Sequence, residues 1–229
     1  MKRTPLVLVL LFAATASGNA AVVFSDDFSH ADGTAIAGQT PGVGSGTWTG
    51  GGGWQVNGGA LSLVGGSDSV YGAFTDSLSA GETLTITFTT GSIAGFIGTS
   101  WAVVSLFDSG NSELAYIGDP GGPTTYWSMG GSIANVTTTD SSQANTAAFS
   151  YVFDTGAWSF TTAAGSYNGT GPTGYAIDHI RIASAGTSDS PAGNMKLESI
   201  AVTIVPEPGS ALFAVAGALA LCRRRRAFV

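Results

Sequence analysis

The segment Thr83-Leu84-Thr85-Ile86-Thr87-Phe88-Thr89 alternates without a fault between threonine and a large apolar residue. A period of two belongs to an extended strand, whose successive side chains point to opposite faces. One face of this strand is therefore core and the other meets water. The pattern recurs along the chain. Ala60–Val64 repeats it, and Trp101–Phe107 is apolar on both faces, as a central strand covered on each side would be. Glu113–Gly118 follows the short turn Asp108–Ser112 and should pair back as a hairpin. Phe149–Phe153 and Trp158–Thr161 flank Asp154-Thr155-Gly156-Ala157, where Gly156 can take a positive φ. Tyr175–Ala183 is a further strand. In Met195–Val205, Leu197, Ser199, Ala201, Thr203 and Val205 oppose Lys196, Glu198, Ile200, Val202 and Ile204. About ten short strands separated by Gly, Ser, Asp and Pro clusters make an all-β antiparallel sandwich or barrel.

Composition closes the other routes. Residues 21–205 contain 31 glycines, while Leu, Met, Glu, Gln, Lys and Arg together number only 17. So few helix-favouring residues exclude a helical bundle and a doubly wound α/β fold. The same stretch has two basic residues, Arg181 and Lys196, against fourteen acidic ones, a net charge of −12. It would repel a phosphate backbone, so nucleic acid is excluded as a partner. The one cysteine, Cys222, lies outside the stretch, so no disulfide staples the fold.

The basic residues missing from the middle are at the ends. Met1–Ala20 reads as a signal peptide: Lys2 and Arg3, an apolar run Leu6–Ala14, then the small residues Gly18 and Ala20, with cleavage expected after Ala20. At the other end Pro206-Glu207-Pro208 stops the last strand, since proline cannot donate to a ladder. An apolar run Gly209–Cys222 follows, then Arg223, Arg224, Arg225 and Arg226. As a helix that run reaches ~21 Å, short of a ~30 Å hydrocarbon core, and the arginines would stay on the cytoplasmic side. The chain thus divides into a signal peptide (1–20), a sandwich domain (21–205) and a C-terminal segment (206–229).

A Pro-Glu-Pro box, a short apolar helix and a terminal arginine cluster resemble the PEP-CTERM sorting signal of Gram-negative bacteria. The resemblance implies an exosortase-type membrane protease as partner, transient anchoring in the membrane, and delivery to the cell surface or an exopolysaccharide and biofilm matrix. The body resembles the concanavalin-like, LamG-type jelly roll. Three places carry that resemblance: Phe24-Ser25-Asp26-Asp27-Phe28, the hairpin Tyr151–Trp158, and the closing strand that runs into Val205-Pro206-Glu207-Pro208.

Chemistry in the middle is sparse. Glycoside hydrolysis needs two carboxyl groups at a set separation. The string Glu-x-Asp-x-x-Glu is absent, and Glu82, Glu113 and Glu198 stand apart in sequence. There is no Gly-x-Ser-x-Gly nucleophile elbow. The expectation is a non-enzymatic protein with no catalytic residues and no cofactor; the alternative is a glycoside hydrolase or lyase with a spatially assembled acid pair. Asp26, Asp27, Asp32 and Asp178 are the candidate oxygen ligands for calcium. His30 and His179 read as surface residues. For polysaccharide the candidates are the loop aromatics Trp48, Trp54, Tyr126 and Trp127, whose ring faces could stack on sugars, whereas Trp101 and Trp158, inside strand patterns, read as core.

Overall fold

The computed structural model describes residues 19–64, 66–91, 101–120, 126–142, 145–185 and 196–207. Residues 1–18, Pro208 and the run Arg223–Arg226 lie outside them. The described chain forms fifteen strands: β1 (Ala21–Asp26), β2 (Thr49–Gly50), β3 (Trp54–Val56), β4 (Leu61–Leu63), β5 (Ser67–Ala73), β6 (Glu82–Thr90), β7 (Trp101–Asp108), β8 (Glu113–Asp119), β9 (Ser128–Gly130), β10 (Val136–Thr137), β11 (Asn145–Val152), β12 (Ala157–Thr162), β13 (Gly165–Thr170), β14 (Ile177–Ala185) and β15 (Lys196–Pro206). No helix among the described residues is long and apolar enough to cross a membrane.

The strands make two antiparallel sheets, a sandwich. One has eight strands, ordered β13-β12-β11-β6-β15-β4-β3, with β1 also paired to β15. The other has seven, ordered β10-β9-β8-β7-β14-β5-β2. Their inner faces form one core. Leu84, Ile86 and Phe88 of β6 are fully buried, as are Ala147, Phe149 and Tyr151 of β11. Across the gap lies the cross-strand row Val70–Ile182–Val104–Ile117–Met129, also buried. Each such aliphatic or aromatic side chain contributes roughly 1.5–3 kcal/mol on leaving water.

The anticipated hairpins are present. β7 pairs with β8 across a turn in which Asn111 has φ 59° and Asp108 Oδ1 accepts the Gly110 and Ser112 amides, both at 2.9 Å. β11 pairs with β12, and Gly156 takes φ 66° in the connecting turn. β7 is buried on both faces from Ala102 to Phe107, matching its two-sided apolar pattern.

Two features depart from simple alternation. In β15, Leu197 pairs Thr90 and Ser199 pairs Thr89, so Glu198 is the extra residue of a bulge. The bulge shifts the phase by one, and Leu197 shares the buried face with Ile200, Val202 and Ile204. The plain period-two grouping of Leu197 with Ser199 and Ala201 is thereby corrected. β5 and β13 also went unrecognised in the sequence, because Gly72, Gly165 and Gly169 interrupt their patterns. β13 closes one edge of the eight-stranded sheet, and Trp158 of β12 lies over its Gly169.

Candidate functional site

Four of the five tryptophans depart from the sequence expectation. Trp48, Trp54 and Trp127 are buried in the core, and only Tyr126 of the four candidate sugar-stacking aromatics is exposed, at 39%. The cause is the long segment after β1, which folds back over the core. Its backbone bonds Gly38 N–H to Trp48 O, Trp48 N–H to Gln39 O and Ile36 N–H to Trp54 O draw both rings inward. Trp48 Nε1 donates to Asp26 Oδ2 at 2.7 Å, and Phe24 meets its ring edge-on at 5.1 Å. Trp127 Nε1 donates to Ser142 O at 2.9 Å, and the ring packs on Phe88. None of these three rings offers a face to a ligand. Trp101, expected in the core, is half-buried on the outer face instead, while Trp158 is half-buried and packs against the core.

The aspartates considered for calcium do not converge. Asp26 accepts from Phe28 N–H and Trp48 Nε1, Asp27 from Ser29 N–H, and Asp32 from Gly58 N–H. Asp178 bonds His179 in the other sheet, and β1 pairs with the last strand rather than with β14. Among the described residues no three His, Cys, Asp or Glu group closely enough to hold a metal ion. Of the residues read as a sorting motif, Pro206 ends β15 opposite Glu82, and Glu207 donates its N–H to Gly81 O at 2.6 Å. Its carboxylate accepts from Thr83 Oγ1. Ala20 is exposed, one residue before β1.

The chemistry gathers on a surface the sequence reading passed over, the outer face of the seven-stranded sheet. Register makes it. Tyr71, Arg181, Ser105, Tyr116 and Gly130 are successive cross-strand partners on β5, β14, β7, β8 and β9, facing away from the buried row. His179 and Phe107 pair in the neighbouring row, and Trp101 lies on the same face further along β7. At the centre the Arg181 guanidinium sits 5.1 Å over the Phe107 ring. Its Nη2 donates to Glu113 Oε1 at 2.6 Å and to Ser105 Oγ at 3.3 Å, while Nε is buried with no hydrogen-bond partner among the described residues. His179 stacks on Phe107 at 5.3 Å, and Tyr71 approaches the same ring edge-on at 6.3 Å. Asp178, the extra residue of a bulge in β14, accepts a hydrogen bond from His179 Nδ1 through Oδ1 at 2.6 Å. Tyr116 can lie flat because Gly130 is beneath it; a Cβ there would collide with the tyrosine ring.

Two open depressions flank this cluster. The smaller, about 210 Å³, is bounded by Trp101, Val103, Glu113, Tyr116, Pro120 and Arg181. The larger, about 890 Å³, lies beyond Tyr71 and includes His179, Asp178, Thr49 and Asn111 in its walls. Arg181 and Tyr71 are direct cross-strand partners, so the two depressions adjoin. The outer face of the eight-stranded sheet is different. There Thr89–Thr146, Ser150–Ser159 and Thr161–Ser166 bond hydroxyl to hydroxyl at 3.2, 2.8 and 2.9 Å.

One further polar cluster ties the sheets together at the crossing from β10 to β11. Asp140 is buried, which alone would raise its pKa. The Ser142 hydroxyl and amide, Thr162 and the Ala164 amide more than offset this by hydrogen bonding the ionised form, holding it at about 2. Asn145 Nδ2 adds a bond at 2.9 Å. The cluster anchors a connection and lines neither depression.

No family model and no curated protein matches the sequence. Solved structures do match. β-Agarase A from Zobellia galactanivorans superposes with a TM-score of 0.55 at 11% identity, covering 87% of this chain and 98% of that one. Endo-1,3-β-glucanase from Streptomyces sioyaensis gives 0.53 at 16% identity, over 82% and 97%. The CBM2 module of the evolved Dit of Lactobacillus casei BL23 phage J-1 gives 0.53 at 14%, over 83% and 98%. The body is a jelly-roll sandwich of the concanavalin-like kind. At these identities the similarity shows the fold alone.

Proposed function

We propose that this chain is exported and displayed at the cell surface or in an extracellular matrix, where it binds polysaccharide without catalysis through the outer face of its seven-stranded sheet. The observation that carries the binding is the gathering of Trp101, Tyr116, Tyr71, Phe107 and His179 around one ion pair, beside two adjoining depressions. Flat rings next to fixed donors and acceptors suit sugars, which present apolar faces and hydroxyl rims. Several proteins of the same fold are named for polysaccharides, the agarase and the glucanase among them. A lack of catalysis is supported by the state of Glu113, which Arg181 engages.

The delivery half rests on the two ends of the sequence, read as a signal peptide and a PEP-CTERM-type signal recognised by an exosortase-type protease. Two boundaries fit it. The first strand begins at Ala21, so cleavage after Ala20 trims nothing from the sandwich, and the last strand ends at Pro206. Fractionating cells that carry a tagged copy tests this: Pro206→Ala or Glu207→Ala should leave a folded body and abolish surface display. Display unchanged in both variants overturns the sorting role.

For the binding half, full-length protein is run through gels containing soluble polysaccharides. Retardation that Trp101→Ala removes and Thr87→Ala does not is the expected result; retardation indifferent to Trp101 overturns the assigned face. The second reading, a carbohydrate-active enzyme on the same sandwich, draws on the Asp178–His179 pair in the wall of the larger depression. Release of new reducing or unsaturated sugar ends, lost in His179→Ala, would establish it instead.

A further inference from the structure

We propose that the smaller depression is a single-sugar subsite that takes a neutral pyranose through two neighbouring hydroxyls and discriminates against uronate-bearing or sulfated glycans. The proposal rests on the glycan-binding reading above and adds the ligand's class. Size sets the first limit. About 210 Å³ equals the share of roughly seven waters in the liquid, which is room for one sugar ring. Shape sets the second. Trp101 and Tyr116 contribute aromatic surface and Val103 and Pro120 apolar surface, so a ring with an apolar face is accommodated and a small ion is not.

Charge decides the class. Glu113 and Arg181 stand 2.6 Å apart in the wall, an acceptor beside a donor. Adjacent sugar hydroxyls each donate and accept, so such a pair can receive one hydrogen bond and return another. The pair is net neutral. The one other basic residue of the body, Lys196, is on β15 in the opposite sheet, and residues 21–205 carry −12 in all. A carboxylated or sulfated sugar entering here would meet no unpaired cation and a repulsive surrounding field. A neutral sugar loses nothing to either.

The test separates this inference from the reading beneath it. Full-length wild type and variants are compared by affinity electrophoresis on neutral polysaccharides (a β-glucan, agarose, dextran) and on polygalacturonate, at about 0.15 M salt. Wild type should be retarded by at least one neutral polymer and not by polygalacturonate. Glu113→Gln keeps the shape and frees the Arg181 charge. It should weaken neutral binding about tenfold, as the loss of one charge-assisted hydrogen bond does, and create salt-sensitive retention on polygalacturonate. Trp101→Ala should abolish neutral binding while Trp101→Phe retains it, and unchanged thermal unfolding would show that each variant is folded. If Trp101→Ala abolishes binding but wild type prefers polygalacturonate, or Glu113→Gln leaves the preference unchanged, the neutral-sugar assignment is overturned and the binding face survives. If wild type is retained by no polymer, or both variants bind as wild type does, the face itself falls.

Discussion

The two outer faces of the sandwich are built by the same backbone geometry and could hardly differ more. On the eight-stranded sheet, many outward positions are threonine and serine, and three pairs of them bond hydroxyl to hydroxyl. On the seven-stranded sheet, the outward residues Val103, Ser105 and Phe107 are themselves buried, beneath the long side chains of a cluster with Arg181 near its centre. Paired hydroxyls present only small polar groups on the first face, and the depression of about 400 Å³ lined by Thr87, Ser199 and Ala201 has no aromatic ring in its wall. Rings and a paired charge leave flat apolar area and directed hydrogen bonds exposed at their margins. The difference shows that an outward face gathers rings around a held charge when its strands are also apolar outward.

If the contrast is right, substitutions on the two faces should differ in cost. The largest effect is expected for Phe107→Ala, which removes the ring that Arg181, His179 and Tyr71 all contact. Although Phe107 points outward it is 6% exposed, and its loss should cost about 3–5 kcal/mol in denaturant unfolding, as for an inner core phenylalanine. Next comes the crossing between the sheets. Asp140→Asn should cost about 1–3 kcal/mol at neutral pH, since donors that served a carboxylate would face an amide. The wild type should also lose stability as pH falls from about 4 through about 2. The folded carboxyl holds its proton off until about 2, whereas the unfolded one takes it up near 3.8, so the ionised form favours folding only above that window. Acid titration followed by tryptophan fluorescence would show this segment of the curve flattened in the Asn variant.

Smaller effects sharpen the comparison further. Gly130→Ala should displace Tyr116 and cost about 1–3 kcal/mol by overpacking, with a loss of glycan retention that exceeds what the stability change explains. Least of all, Thr87→Ala on the hydroxyl face should change stability by no more than about 0.5 kcal/mol and binding not at all. A Thr87 variant that lost binding would break the distinction between the faces.

Legibility followed the range of the interactions. β6, the β7–β8 and β11–β12 hairpins and the end of β15 were all readable, because alternation, turn residues and proline act within a few positions. The tryptophans were not. Trp48 is internal because Asp26, 22 positions earlier, receives its Nε1, and because the segment between them folds across the core. Trp101 is half-exposed because β7 is apolar on both sides and one side is the outer one. No local pattern distinguishes those cases. Glu198 offered a hint: a charged residue between Leu197 and Ile200 is what a bulge in an otherwise buried strand tends to look like.

Taken alone, the order of residues determined that this chain is a pleated, helix-poor body with one acidic charge balance, bracketed by a basic start and a basic finish. Those are properties of composition and of neighbours two apart, and they survive any arrangement of the strands. Tertiary structure decided which residues meet: Arg181 with Glu113 from 68 positions away, Tyr116 over Gly130, the loop tryptophans in the core. A sheet builds its face from one residue per strand, so the partners in a row are set by register between distant segments, and register exists only once the chain has folded.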